Sequence, residues 1–132
     1  MDVRLAAAMG EAAGKPYEWG AEGQGAFDCS GLIYWMRGRL GLANGPRTAS
    51  GQYRRLARYA RFGERGDWGD LVFRFAPERG VEPYHVAIVA GPGSSSEKRR
   101  VFDAPSSGKL VGYREIAIRP SDAIVSKGAA WI

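Results

Sequence analysis

The chain has 132 residues, 45% hydrophobic and 25% charged, and its 19 lysines and arginines outnumber 14 aspartates and glutamates for a formal net charge of +5. That length closes one core without staples, and no apolar run approaches the 18 or more residues of a membrane span, which leaves an ordinary globular domain as the expectation. One cysteine forms no internal disulfide, and with a single histidine it completes no four-ligand zinc site, so neither a structural staple nor a metal or other cofactor is expected.

The opening "MDVRLAAAMGEAAGKPY" lacks the long apolar centre of a secretory signal, since Asp2 and Glu11 interrupt it. Good helix formers from Val3 to Ala13, closed by Gly14-Lys15-Pro16, predict a first helix. From Cys29 onward Leu32, Ile33, Met36 and Leu40 recur at one-face helical spacing until the glycines of "GLANG", which predicts a central helix. "TASGQYRRLARYA" (48–60) predicts a third, with Thr48 as N-cap; Tyr53, Leu56, Ala57 and Ala60 form its dry side, and Arg54, Arg55 and Arg58 ride outside. Beyond Gly63 the runs "DLVFRF" (70–75), "HVAIVA" (85–90), "RVFDA" (100–104) and "LVGYREIAI" (110–118) are short, β-branched and glycine-bounded, and read as strands. Their turn-rich connections favour antiparallel hairpins, and the tail "SDAIVSKGAAWI" predicts one more short strand. Helices first and strands after give an α+β fold, in one domain over residues 1–132.

The stretch "AFDCSGLIYWM" (26–36) sets the only cysteine where a polar, glycine-ended cluster tightens into the central helix. A thiol attacks as its thiolate, and the positive end of a helix together with an imidazolium stabilises that anion. The backbone N–H of Cys29, unbonded within the helix, can also donate to an oxyanion. His85 is the only imidazole available to take the thiol proton and return it to a leaving amine. Asp103, a carboxylate between Phe102 and Ala104, is the candidate to hold the other ring nitrogen, with Glu97 in the preceding turn as its competitor.

Taken in order, "GKPYEWGAEGQGAFDCSGLIYWM" (14–36), "GDLVFRF" (69–75), "HVAIVAG" (85–91) and "VFDAPSSG" (101–108) resemble the signature blocks of the NlpC/P60 cysteine peptidases, which hydrolyse peptidoglycan stem peptides. The resemblance spans about residues 3–118. It implies a papain-like α+β fold with the central catalytic helix packed on a C-terminal antiparallel sheet. It further implies Cys29 as nucleophile, His85 as base and Asp103 in the third position, where the family often has histidine. Tyr17 and Trp19 of the "PYEWG" element would line the substrate groove, and Asp28 and Ser30 would be polar neighbours that contact the stem peptide. The expected substrate bond is the γ-D-glutamyl to diamino-acid link.

Peptidoglycan stem peptides are therefore the expected partner. The basic balance, concentrated in "RRLAR" (54–58) and "KRR" (98–100), would favour anionic wall polymers. Nucleic-acid binding is not expected, because the arginines lack the aromatic-interleaved strand pattern of RNA readers, and a monomer without a membrane span is. The site of action would be the bacterial cell wall, outside the cell or in the periplasm. Without a secretory leader in this chain, a phage lysin, a tail-associated lysin or an otherwise delivered enzyme is expected. A thiol amidase or acyltransferase of related fold, or a non-catalytic wall-binding module, are the alternatives; products other than stem-peptide fragments would mark the first, and an unreactive thiol the second.

Overall fold

The computed structural model describes residues 2–23, 25–76 and 80–132. Helix α1 (Val3–Ala12) begins where Asp2 accepts hydrogen bonds from the Arg4 and Leu5 amides, and it buries Leu5, Ala8, Met9 and Ala12, the one-face spacing of an amphipathic helix. It stops at Gly14, whose φ of +86° a residue with a Cβ adopts only at a cost. Two short strands, β1 (Glu22–Gly23) and β2 (Ala26–Phe27), form a small antiparallel hairpin before helix α2 (Cys29–Arg39). Helix α3 (Ala49–Leu56) carries Thr48 as N-cap, as its sequence predicts, with the Gly51 amide donating to the Thr48 hydroxyl.

A five-stranded sheet follows, from β3 (Leu71–Phe75), β4 (Pro83–Pro92), β5 (Lys98–Asp103), β6 (Gly112–Ala117) and β7 (Ala123–Val125), in the order β6-β5-β4-β3-β7 with every pair antiparallel. A last turn of helix, α4 (Lys127–Ala130), completes the chain. The strand expected in the tail is β7, and it crosses to the far edge to pair with β3 rather than with its predecessor β6.

Leu32, Ile33 and Met36 of α2 pack with the buried face of α1 against Phe73, Ile88 and Phe102 of the sheet. Fully burying side chains of this size contributes about 1.5–3 kcal/mol each, so this layer carries the fold. Residues one step along the same strands point the other way: Val72, Val89 and Ile124 form a cluster on the opposite face, and Ala87, Val101 and Ile116 another. Buried Arg37 ties α2 to the end of the chain through the carbonyls of Ala43, Ala130 and Ile132 at 2.7–2.9 Å.

The third helix departs from its predicted extent. It is α-helical only to Leu56 and continues as a 3-10 turn over Ala57–Tyr59, leaving Ala57 exposed while Gln52 takes a buried position. The cause is tertiary: Arg61 exchanges both backbone hydrogen bonds with Ile124 of β7, at 2.8 and 2.9 Å, which pulls the chain off the helix axis and onto the sheet edge. No helix among the described residues is long and apolar enough to cross a membrane.

Candidate active site

Cys29 is the first residue of α2, and Asp28 is its N-cap, extended at φ −96° and ψ 179°. The Asp28 carboxylate is saturated. Its Oδ1 accepts from the Gly31 amide at 2.7 Å and the Ser30 hydroxyl at 3.4 Å, and its Oδ2 from the Gly20 amide at 2.9 Å and Arg47 Nη2 at 3.0 Å. Burial disfavours the charged carboxylate, but the Arg47 and amide hydrogen bonds outweigh it and hold Asp28 below the ordinary carboxylate range. The glycine of "DCSG" is needed for space: a Cβ on Gly31 would lie 2.1 Å from the Ala21 carbonyl oxygen and 2.8 Å from Asp28 Oδ1. The same packing brings in the preceding segment, since the Asp28 amide donates to Ala21, the Phe27 amide to Pro16, and the Glu18 amide to Phe27. Tyr17 is thereby laid beside the first turn of α2. Its phenol is pushed up by burial, reinforced by the nearby Cys29 and Asp28 charges.

His85 lies near the start of β4, which packs against α2. Phe102 of β5 stands opposite Ile88, so Asp103 falls level with Ala87 and its side chain reaches diagonally to His85, two residues along β4. His85 Nε2–H donates to Asp103 Oδ2 at 2.7 Å. A carboxylate only accepts, which fixes the proton on Nε2 and leaves Nδ1 bare in the neutral ring. Burial of the imidazole disfavours its charged form, yet the hydrogen bonds and charges of Asp103 and Cys29 outweigh that and raise His85 from 6.5 to about 9. Asp103 shows the complementary effect: burial opposes its charge, and the hydrogen bonds from His85 and Arg114 hold it low. Glu97, the sequence competitor, lies exposed in the turn before β5 and forms no such contact with His85.

A groove of about 550 Å³ opens over Cys29. Its walls are the Tyr17–Gly20 segment, the first turn of α2, the Arg47–Ser50 approach to α3, and Pro83 and Tyr84. Tyr17, Trp19, Asp28 and Ser30 all border it, with Trp19 85% exposed at the rim, while His85 and Asp103 are buried. Five of the seven residues singled out in the sequence thus line one groove, and His85 and Asp103 stand behind it, Asp103 also lining a second cavity with Arg114.

Three further residues escape sequence reasoning. Arg47 joins Asp28, Ser30, Glu22 and the Ala21 carbonyl in one network. Buried Gln52 ties α3 to α2 by donating to the Ser30 and Pro46 carbonyls. Arg114 grips Asp103. Only Arg114 carries a local signal, as the lone cation of the strand "GYREIA".

The sequence profile of the NlpC/P60 family matches residues 14–120. The bifunctional muramidase/DL-endopeptidase CwlT of Bacillus subtilis is 34% identical over 96 residues, which are 72% of this chain and 26% of that protein. The murein DD-endopeptidase MepH of Escherichia coli is 39% identical over 90 residues, 66% of this chain and 32% of that protein. The chain therefore spans about a quarter to a third of the length of these relatives. Among solved structures, the NlpC/p60 domain of the peptidoglycan hydrolase SagA superposes with a TM-score of 0.72 at 25% identity, covering 94% of this chain and 97% of that one. A match over most of the sequence, a shared fold, and a cysteine at a helix N-terminus beside a buried histidine lead to one conclusion: the chain belongs to the NlpC/P60 family.

Proposed function

We propose that the chain is a cysteine endopeptidase that cleaves peptidoglycan stem peptides at the γ-D-glutamyl to diamino-acid bond. The observation that carries this reading is the convergence of Cys29, His85 and Asp103 beside an open groove. Cys29 gives its thiol proton to Nδ1 of His85, and the thiolate sulfur attacks the amide carbonyl carbon as the carbonyl π electrons move to oxygen. The Cys29 N–H, free of intrahelical bonding at the first helical position, donates to that oxyanion; one such donor is worth about 3 kcal/mol in comparable hydrolases. As the tetrahedral species collapses, the C–N bond breaks and imidazolium Nδ1–H of His85 protonates the departing amine. Water, giving a proton to Nδ1, then attacks the thioester; the C–S bond breaks, Nδ1–H returns the proton to sulfur, and the acid product leaves and ionises in solvent.

The groove composition fits an amphiphilic peptide. Trp19 and Tyr17 offer aromatic surface, and the guanidinium of Arg47 borders the groove as a cation for carboxylate oxygens. Asp28, with its acceptors already engaged, serves to organise the cleft rather than to receive substrate donors. CwlT bears a DL-endopeptidase name and supports the proposed bond; MepH bears a DD-endopeptidase name and marks the competing one. The net charge of +5, with Arg54, Arg55 and Arg58 exposed on and after α3, favours approach to an anionic wall.

Digestion of purified peptidoglycan followed by mass spectrometry of the soluble fragments tests the reading. Fragments with a new amino terminus at the diamino acid, absent with Cys29→Ala, are expected. Cleavage at the D-alanyl cross-link would overturn the assigned bond, and no cleavage would overturn the peptidase reading.

A further inference from the structure

The geometry points to Arg114 as a positioning residue that clamps Asp103 and shares its charge, so that His85 is oriented by an arginine–carboxylate pair rather than by a lone carboxylate. This rests on the reading of His85 as the base for Cys29. On β6, Arg114 stands opposite Val101, two residues before Asp103 on β5. Its Nε donates to Asp103 Oδ1 at 3.0 Å and to Oδ2 at 3.1 Å, and its Nη2 donates to Oδ2 at 2.7 Å. The His85 ring meets the same Oδ2, also at 2.7 Å. One carboxylate oxygen is thus divided between imidazole and guanidinium.

Two consequences follow from that sharing. A side chain gripped at both oxygens has its rotamer fixed, so Oδ2 stays aimed at Nε2. The guanidinium also neutralises much of a buried carboxylate that would otherwise grip the imidazolium and oppose release of its proton to a leaving amine. The Asp103 side chain has no exposed surface, and its ionised form needs this partner.

Other charged and titratable groups around His85 are committed elsewhere. Cys29 approaches from α2, with Tyr17 beside it. Arg74 of β3 is the cross-strand neighbour of His85, but its guanidinium goes to Asp122 and the Ala117 carbonyl. Tyr84 precedes His85 on β4 and accepts from Arg119, while Arg54 of α3 pairs with Glu82. Arg114 alone among these cations binds the carboxylate that His85 uses. It borders no part of the Cys29 groove and instead lines a separate surface cavity with Lys109 and Tyr113, so its loss acts on turnover rather than on substrate binding.

His85 is the only histidine, which makes its ring C–H resonances an unambiguous probe of its own titration. In a Cys29→Ala background, where the raising influence of the thiolate is gone, Arg114→Gln is expected to raise the affinity of His85 for a proton at least about threefold, the effect of removing a half-screened charge two hydrogen bonds away. Arg114→Lys, which keeps the charge but loses the fork, stays near the parent midpoint. With Cys29 restored, both variants are expected to lower kcat for a stem peptide about tenfold, with KM within twofold. An unmoved or lowered His85 midpoint in Arg114→Gln, or an equal displacement in Arg114→Lys, overturns the proposal. If Arg114→Gln fails to fold, Arg114→Lys decides: an unchanged midpoint with reduced kcat supports the clamp, and unchanged kcat overturns it. The titration needs no substrate, so failure of the wild type to cleave peptidoglycan sinks the peptidase reading and leaves the titration to judge the clamp.

Discussion

Asp28→Ala removes the acceptor around which the catalytic turn is organised. The substitution removes the N-cap bond of α2, which serves the buried Gly31 amide at 2.7 Å, and strands the part-buried Gly20 amide and one arm of Arg47 at 2.9 and 3.0 Å. Leaving a buried donor unsatisfied costs about 1–3 kcal/mol. The Arg47 arm is discounted because its side chain is 27% exposed and solvent replaces part of the loss. The sum is about 3 kcal/mol, and at roughly 3 °C per kcal/mol for a chain of this size the midpoint of thermal unfolding should fall by about 10 °C. Calorimetry and urea titration measure it, with the urea slope unchanged. Acid should weaken the wild type through the same group. The depressed Asp28 ionisation contributes stability above the ordinary carboxylate range and loses it as pH falls through the lower folded value, whereas Asp28→Ala should lack that component. A loss below about 0.5 kcal/mol would refute the role given to Asp28.

Two further predictions test the packing and the ion pair. Gly31→Ala would gain about 1 kcal/mol in an open helix, but here the added Cβ meets the Ala21 carbonyl at 2.1 Å, so a loss of about 3 kcal/mol or failure to fold is expected, and a melting point equal to the wild type would contradict it. His85 titrates near 9 in the folded chain against 6.5 unfolded, so its contribution to stability is complete below pH 6.5 and lost as pH rises through about 9; Asp103→Asn should flatten that alkaline decline in thermal melts between pH 6 and 10, and an identical decline in both proteins would count against the pair.

The catalytic helix was legible because its signals are local: a polar, glycine-ended cluster and apolar residues at helical spacing all fall within residues 26–40. The four longer strands were legible from their β-branched runs, and Asp103 stood out as a carboxylate in apolar company. What escaped depends on register and tertiary approach. No pattern in "GYREIA" says that Phe102 will face Tyr113, and only that register carries Arg114 to Asp103. The hairpin of β1 and β2 is two residues on each side, too short for alternation to appear, and α4 spans one turn. Arg47 and Gln52 find their partners through the packing of α3 on α2, which no helical periodicity records.

Turnover of a defined stem peptide by the wild type and by Cys29→Ala tests the central claim most directly, since the chain holds a single cysteine and no second thiol can substitute. Loss of the nucleophile should lower kcat by about a thousandfold or more while the variant still folds and binds. Hydrolysis by Cys29→Ala within tenfold of the wild type would contradict the account.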